Sequence, residues 1–390
     1  MRRTLTIVLA ALIPSVLALG IWLGGHPQYL PDPIANAVLG KDGPRVVNEG
    51  IDIVHDRFYR RIDDSQLSNA ALDGLVKNLK DRFSNYFSPQ DYSSFEQSVE
   101  NRFSGIGVAI RGVSNGLRVE TVFEGSPAAR EDLRVGDVII AADGKKLAGL
   151  PEKAAVALVK GPKGSKVRLA ILRGTRRLKK TIMRDEIRVP IVASRLKQAG
   201  AKKVAYIALS TFSSQDADDQ MTAAIRKAKT HGIKGIVFDL RGNGGGLITE
   251  AQLIASMFLK DGPIVTTKGR SVPKRTLYAL GQPIAGTLPV VVLVDGGTAS
   301  ASEIVTGALQ DRKRATVVGT NTFGKGVFQE VIPLANGGAL DITVGQYFLP
   351  SGRNLGGNPI KPDVPARDDP ATPKRDEALD KALRVLARKL

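Results

Sequence analysis

Between residues 204 and 348 short apolar runs alternate with stretches of helical period, and this alternation restricts the fold more than any other feature. Runs at 204–209, 235–240, 264–267, 289–294 and 316–318 read as strands, and 327–332 and 340–348 continue the series. Helical stripes fall between them at 217–228, 247–259 and 302–309. Such alternation argues for a mostly parallel sheet flanked by helices. The run Pro289-Val-Val-Val-Leu-Val294 has no polar member and reads as a strand buried on both faces.

The period changes on either side of this core. Residues 46–102 carry helical stripes, one through Val47, Ile51, Ile53, Val54 and Phe58, another through Leu72, Leu75, Val76 and Leu79. From 103 to 187 short strands and turns take over. Gly125-Ser-Pro-Ala-Ala129 starts a short helix with Ser126 as cap and Pro127 in its first turn, and 167–172 with 180–183 close a hairpin. The ordered succession resembles a PDZ domain, and backbone amides at Ser104, Gly105, Ile106 and Gly107 are placed to capture a peptide carboxylate. Residues 352–373 are rich in Pro and Gly, and 376–390 form a closing helix with Leu379, Ala382, Leu383 and Leu386 on one face.

At the N-terminus Arg2 and Arg3 precede an apolar run over 5–23, the pattern of a signal peptide or a membrane anchor within residues 1–25. A tether follows at 26–45. The expectation is an extracytoplasmic protein, secreted or held at the membrane. The net charge of +18 reads as a diffuse basic surface, because aromatics are 5% and no basic run is interleaved with stacking rings. Nucleic acid is therefore not an expected partner. The chain contains no cysteine, which excludes disulfides, thiolate metal sites and a cysteine nucleophile. Only His26, His55 and His231 supply imidazole.

Chemistry concentrates at three junctions. Gly297-Thr298-Ala299-Ser300-Ala301-Ser302-Glu303 runs from a strand into a helix, where a serine hydroxyl lies beside free helix amides. The same pattern serves as an ordinary N-cap. Asp239-Leu-Arg-Gly-Asn-Gly-Gly-Gly-Leu247 also joins strand to helix, but Leu247 stands where a dinucleotide loop needs its third glycine. Gly319-Thr-Asn-Thr-Phe-Gly-Lys325 begins like a P-loop, yet Gly326 replaces the magnesium-binding hydroxyl and a strand pattern follows. A serine nucleophile needs a base. A desolvated lysine can serve, because burial disfavours its ammonium form, and Lys325 lies between two glycines ahead of an apolar run.

Taken together, 238–247, 297–304 and Gly324-Lys-Gly-Val-Phe-Gln329 resemble the C-terminal processing peptidases, also called tail-specific proteases. Residues 81–95, the PDZ-like segment and 357–364 resemble them as well. The resemblance implies an α/β fold with a crotonase-like catalytic core at 188–365, a PDZ domain at 103–187 inserted after an N-terminal helical segment, and a tail helix at 366–390. It implies Ser300 as nucleophile, Lys325 as general base and Gln329 as the residue orienting Lys325. Ser302 then has a structural role. The oxyanion hole implied is the amide of Ala301 with that of Gly245 or Gly246. No metal or organic cofactor is implied. The partners implied are proteins or peptides with free C-termini and, through residues 1–25, the membrane; a homo-oligomer or an activator protein is compatible. The rival reading is a catalytically silent PDZ scaffold that presents substrates to another protease.

Overall fold

The computed structural model describes residues 42–99, 102–281, 283–372 and 374–390. The expected signal peptide or anchor and most of the tether lie outside the described residues. Among those described, no helix is long and apolar enough to cross a membrane.

The chain divides into two compact units at Tyr86/Phe87. In the first, α1 (Asp42–Arg57) and α2 (Asp64–Lys77) follow the two stripes read from the sequence, although Phe58 falls beyond the end of α1 and Leu79 beyond that of α2. Much of the α1 stripe is exposed, including Val47 and Ile53. β1 (Asn85–Phe87) spans the boundary, and α3 (Pro89–Val99) opens the second unit.

In the second unit β2 (Arg102–Gly105) pairs antiparallel with β9 (Asp185–Arg188), closing the base of a small domain. Between them run β3 (Val108–Val113), β4 (Gly116–Val122), α4 (Pro127–Arg130), β5 (Val138–Ala142), β6 (Lys145–Lys146), α5 (Glu152–Val159), β7 (Lys166–Arg173) and β8 (Arg176–Met183). The sheet order is β3-β4-β5-β7-β8, with β6 on β5. Ser126 caps α4 by accepting from Ala129 N at 3.2 Å, with Pro127 in the first turn. Leu117, Ile139, Leu169, Ile171 and Ile182 fill the core.

The remaining chain builds β10 (Val192–Ala199), β11 (Lys202–Leu209), α6 (Ala217–Thr230), β12 (Ile236–Asp239), α7 (Ile248–Ser256), β13 (Pro263–Gly269), β14 (Arg275–Tyr278), β15 (Val290–Val294), α8 (Ala301–Asp311), β16 (Ala315–Gly319), β17 (Val327–Pro333), β18 (Ala339–Phe348), β19 (Val364–Pro365) and α9 (Glu377–Ala387). Strands β10-β11-β12-β15-β16-β19 form one sheet, parallel except for the β10–β11 pair. Its alternate residues serve two cores. Ile207, Phe238 and Val292 pack under α6, α7 and α8. Tyr206, Val237, Val291 and Leu293 pack under α9, which inserts Leu379, Ala382 and Leu386. Each fully buried leucine contributes about 1.5–3 kcal/mol.

One expectation needs revision. Strands β13, β17 and β18 leave the parallel sheet and pair antiparallel with one another, and β14 joins them on β13. The reason is local. The short turn between β17 and β18 permits a hairpin, whereas a parallel neighbour needs a crossover. Their half-buried, mixed-polarity pattern also suits a sheet with one wetter face, unlike the wholly buried β12 and β15. The β10 and β14 strands had no counterpart in the sequence reading.

Candidate active site

Adjacent parallel strands β12 and β15 deliver their following loops to the same C-terminal edge of the sheet, where open α/β folds bind ligands. The β12 loop is the glycine-rich segment, and the β15 loop ends at Ser300. Ser300 has φ 55° and ψ −119°, a conformation that side chains other than glycine rarely adopt and that costs about 1–3 kcal/mol. Its amide donates to Glu303 Oε2 at 2.9 Å. Ala301 opens α8, and its amide is among the donors that a helix start leaves unpaired.

Glu303 holds the site together. Its fully buried carboxylate accepts Ser300 N, Lys325 N at 3.0 Å, Gly324 N at 2.8 Å and Thr322 Oγ1 at 2.5 Å. The segment bearing Lys325 is thereby fastened to the helix start bearing Ser300. Sequence reasoning passed over this residue because Ser-x-x-Glu is a common helix-start pattern. The long reach to 322–325 had no local sign. Lys325 Nζ donates to Gln329 Oε1 at 2.6 Å, and Gln329 Nε2 donates to Thr343 Oγ1 at 3.0 Å. A register shift between Phe328 and Gln329 accompanies this placement on β17.

The two serines have different surroundings. Ser302 is fully buried, and its hydroxyl donates to Asn243 O at 2.9 Å. Ser300 is half-buried and lines an open cleft of about 660 Å3 with Lys325 and Gln329. Gly244, Gly245 and Gly246 form one rim, and Phe95, Val99, Ile248 and Phe328 supply apolar walls.

The glycines also differ. A Cβ on Gly245 would stand 2.7 Å from Ala299 O and 2.9 Å from Ala301 N, so only glycine permits the loop to approach α8 this closely. A Cβ on Gly246 would lie 2.2 Å from the backbone of Phe212. The Gly245 amide is already committed to Asn243 Oδ1 at 2.9 Å. Among the described residues the Gly246 amide has no hydrogen-bond acceptor; the neighbouring bridge to Phe212 uses Leu247 N and Gly245 O instead. Asn243 is itself fully buried, donating to Leu209 O at 2.8 Å while its carbonyl accepts Ala299 N at 3.0 Å. Behind the loop Arg241 forks onto Asp376 at 2.8 and 2.9 Å and onto Asp239, which also accepts Tyr206 Oη at 2.8 Å. The tail helix thus anchors the glycine loop.

His231 stands outside this group, exposed at the end of α6 with Nδ1 donating to Lys227 O at 2.8 Å. Among the described residues no cluster of three or more His, Cys, Asp or Glu side chains is placed to hold a metal.

Downstream of the glycine loop, Glu250 on α7 is buried and accepts Asp218 N at 3.0 Å. Burial, with Asp216, Asp218 and Asp219 nearby, pushes its carboxyl up to about 7 from the ordinary 4.5. Folding therefore favours the protonated acid. That contribution is whole below pH 4.5 and is lost as pH rises through 7. Glu250→Gln, permanently neutral and still able to accept from Asp218 N, is expected to raise Tm by about 3 °C at pH 8 and by less than about 1 °C at pH 4. Thermal melts at the two pH values check this, and an equal shift at both would refute it.

A second cleft, about 280 Å3, lies in the small domain between β3 and α5. Gly105, Ile106, Gly107 and Val108 line one side, and Val156, Val159 and Lys160 the other. Ser104 is not in its lining, and its hydroxyl donates to Gly161 O at 2.8 Å.

Comparison with known proteins follows the same division. The family model for peptidase family S41 matches residues 203–366, and that for the PDZ domain matches 104–183. The chain is 36% identical over 319 residues to a carboxy-terminal-processing protease of Bartonella bacilliformis, covering 80% of this chain and 72% of that protein. It is 35% identical over 314 residues to a probable CtpA-like serine protease of Staphylococcus aureus, covering 80% of this chain and 62% of the relative. Among solved structures it is similar to a photosystem II D1 C-terminal processing protease, with a TM-score of 0.52 and 25% identity over 89% of this chain and 98% of the other.

Proposed function

We propose a mechanism and a mode of recognition from the premise that the chain belongs to peptidase family S41, serine-type peptidases, and carries a PDZ domain. In this reading Ser300 is the nucleophile, Lys325 its general base, and Gln329 orients the lysine amine. The observation that carries it is the meeting, in one cleft, of a strained, half-buried Ser300 with the Lys325–Gln329 pair.

Ser300 Oγ attacks the peptide carbonyl carbon as its proton passes to the neutral amine of Lys325. The carbonyl electrons move onto oxygen, and the oxyanion is received by the amides of Ala301 and Gly246. Gly245 is the weaker candidate, its amide being bonded to Asn243. Collapse breaks the C–N bond, and Lys325 returns its proton to the leaving amine. Water then attacks the ester, again giving its proton to Lys325, and Ser300 leaves with that proton restored. Every step is a proton transfer or an acyl transfer, so no redox partner enters.

The PDZ groove supports recognition of free C-termini. An extended peptide adds beside β3, its carboxylate at the amides of Ile106 and Gly107 and its last side chain against Val156 and Val159. Ser104 and Gly105 are less well placed, since both pair with β9. Work outside the cytoplasm, with membrane attachment through residues 1–25, is supported by Arg2, Arg3 and the apolar run after them. A silent scaffold would not require Glu303 to gather the Ser300 and Lys325 backbones.

The test is cleavage by the full chain of one peptide in two forms, with a free-acid or an amidated apolar C-terminus. The amide is expected to lower kcat/KM about tenfold, a loss of about 1.4 kcal/mol of recognition. Equal kcat/KM for the two forms would overturn recognition of the terminus.

A further inference from the structure

Tyr347, near the end of β18, is fully buried. Its amide donates to Gly326 O at 3.1 Å, and Asn354 Nδ2 bridges Tyr347 O and Gly326 O at 2.8 Å each. The tyrosine backbone is thus stitched to the residue after Lys325. Its phenol is different. Among the described residues, Tyr347 Oη is the buried side-chain polar atom without a hydrogen-bond partner. Thr298, Ser302, Glu303 and Thr322, buried around the same site, are all satisfied. A buried hydroxyl in so well-paired a region calls for an explanation.

The Glu303 carboxylate and the Ser300 hydroxyl both lie near enough to the phenol to act on its ionisation. Burial holds its pKa well above the ordinary value, the Glu303 charge raises it further, and the nearby Ser300 hydroxyl lowers it somewhat. The phenol therefore stays protonated throughout the neutral range, as a donor close to Ser300 that makes no hydrogen bond of ordinary geometry at rest.

We propose that Tyr347 is a positioning residue whose phenolic O–H donates to Ser300 Oγ as the reaction proceeds. This rests on the reading of Ser300 as nucleophile. With one Oγ lone pair engaged by the phenol, the serine proton is directed at Lys325 Nζ and the other lone pair at the substrate carbonyl. The same donor steadies Oγ when it departs from the acyl-enzyme. A bond absent at rest and formed on the way to the transition state acts on kcat and leaves KM alone.

The test is Tyr347→Phe, measured beside Ser300→Ala in the full chain. The phenylalanine keeps the packing and deletes a donor that has no partner at rest, so Tm is expected to be unchanged or higher. KM is expected within about twofold of wild type and kcat lower by about tenfold. Wild-type kcat in Tyr347→Phe while Ser300→Ala is dead would overturn the role of Tyr347 and leave that of Ser300 standing. A raised KM with normal kcat, or a Tm lowered by several degrees, would also overturn it, since the phenol would then serve binding or stability. Activity retained by Ser300→Ala would remove the premise itself.

Discussion

Ser300→Ala is expected to abolish peptide cleavage, by a factor on the order of 10⁴ or more, with Tm close to that of wild type. The first part follows from chemistry: the Ser300 hydroxyl stands at the start of α8 in the same cleft as Lys325, the amine that would receive its proton, and alanine has no oxygen to replace it. The second follows from geometry. Alanine and serine both carry a Cβ, so the strain of φ 55° is unchanged, and the bond from residue 300 N to Glu303 survives. Ser302→Ala should behave in the opposite way. It removes a buried hydroxyl that donates to Asn243 O, a net loss of about 1 kcal/mol, while most activity remains. Steady-state cleavage and thermal melts of the three proteins decide the matter. Full activity in purified Ser300→Ala would sink the assignment.

Lys325→Arg is the second change with a large expected effect. The backbone amide of residue 325 keeps its bond to Glu303, and arginine is a long side chain of similar reach in an open cleft, so the fold should persist. Guanidinium, however, stays protonated at any usable pH and has no lone pair to accept the Ser300 proton. Activity is expected to fall by about 10³-fold or more. The wild-type rate should decline toward acid pH, as the lysine amine takes up its proton and ceases to be a base. His231→Ala should leave the rate within about twofold, since that imidazole is exposed at the end of α6 and bonded to its own helix. The measurement is single-turnover cleavage against pH for the three proteins. A folded but inactive His231→Ala beside a near-normal Lys325→Arg would require a different base.

The sequence and the structure divide the account of this chain in a consistent way. Residues 204–209, 235–240 and 289–294 could be read as strands of one sheet, because an unbroken apolar run has few alternatives to burial on both faces. The ends of those runs located the two loops of the candidate site, since glycine-rich and Ser/Thr-rich junctions mark where a strand hands over to a helix. Residue chemistry also narrowed the reaction: without cysteine, a serine with His231 or a lysine as its base remained, and the resemblance to C-terminal processing peptidases pointed to Lys325. All of this is encoded within about ten residues of each position.

What the tertiary structure decided involves partners far apart in the chain. Strands β13, β17 and β18 form a separate antiparallel sheet because hairpin closure competes with parallel pairing, and periodicity alone does not rank the two. The Gly245 amide is spent on Asn243 while that of Gly246 stays open, a difference of backbone direction between two identical residues. Glu303 reaches 322–325, Gln329 reaches Thr343, and Arg241 reaches Asp376 at the start of the tail helix. Tyr347 lies in a strand run whose pattern gives no sign that its hydroxyl is buried near Ser300 and, among the described residues, without a hydrogen-bond partner. Hydrogen bonds of this kind have no period and no fixed spacing. They exist only once packing has brought donor and acceptor within 3 Å or so of one another, and no local pattern in the sequence announces them.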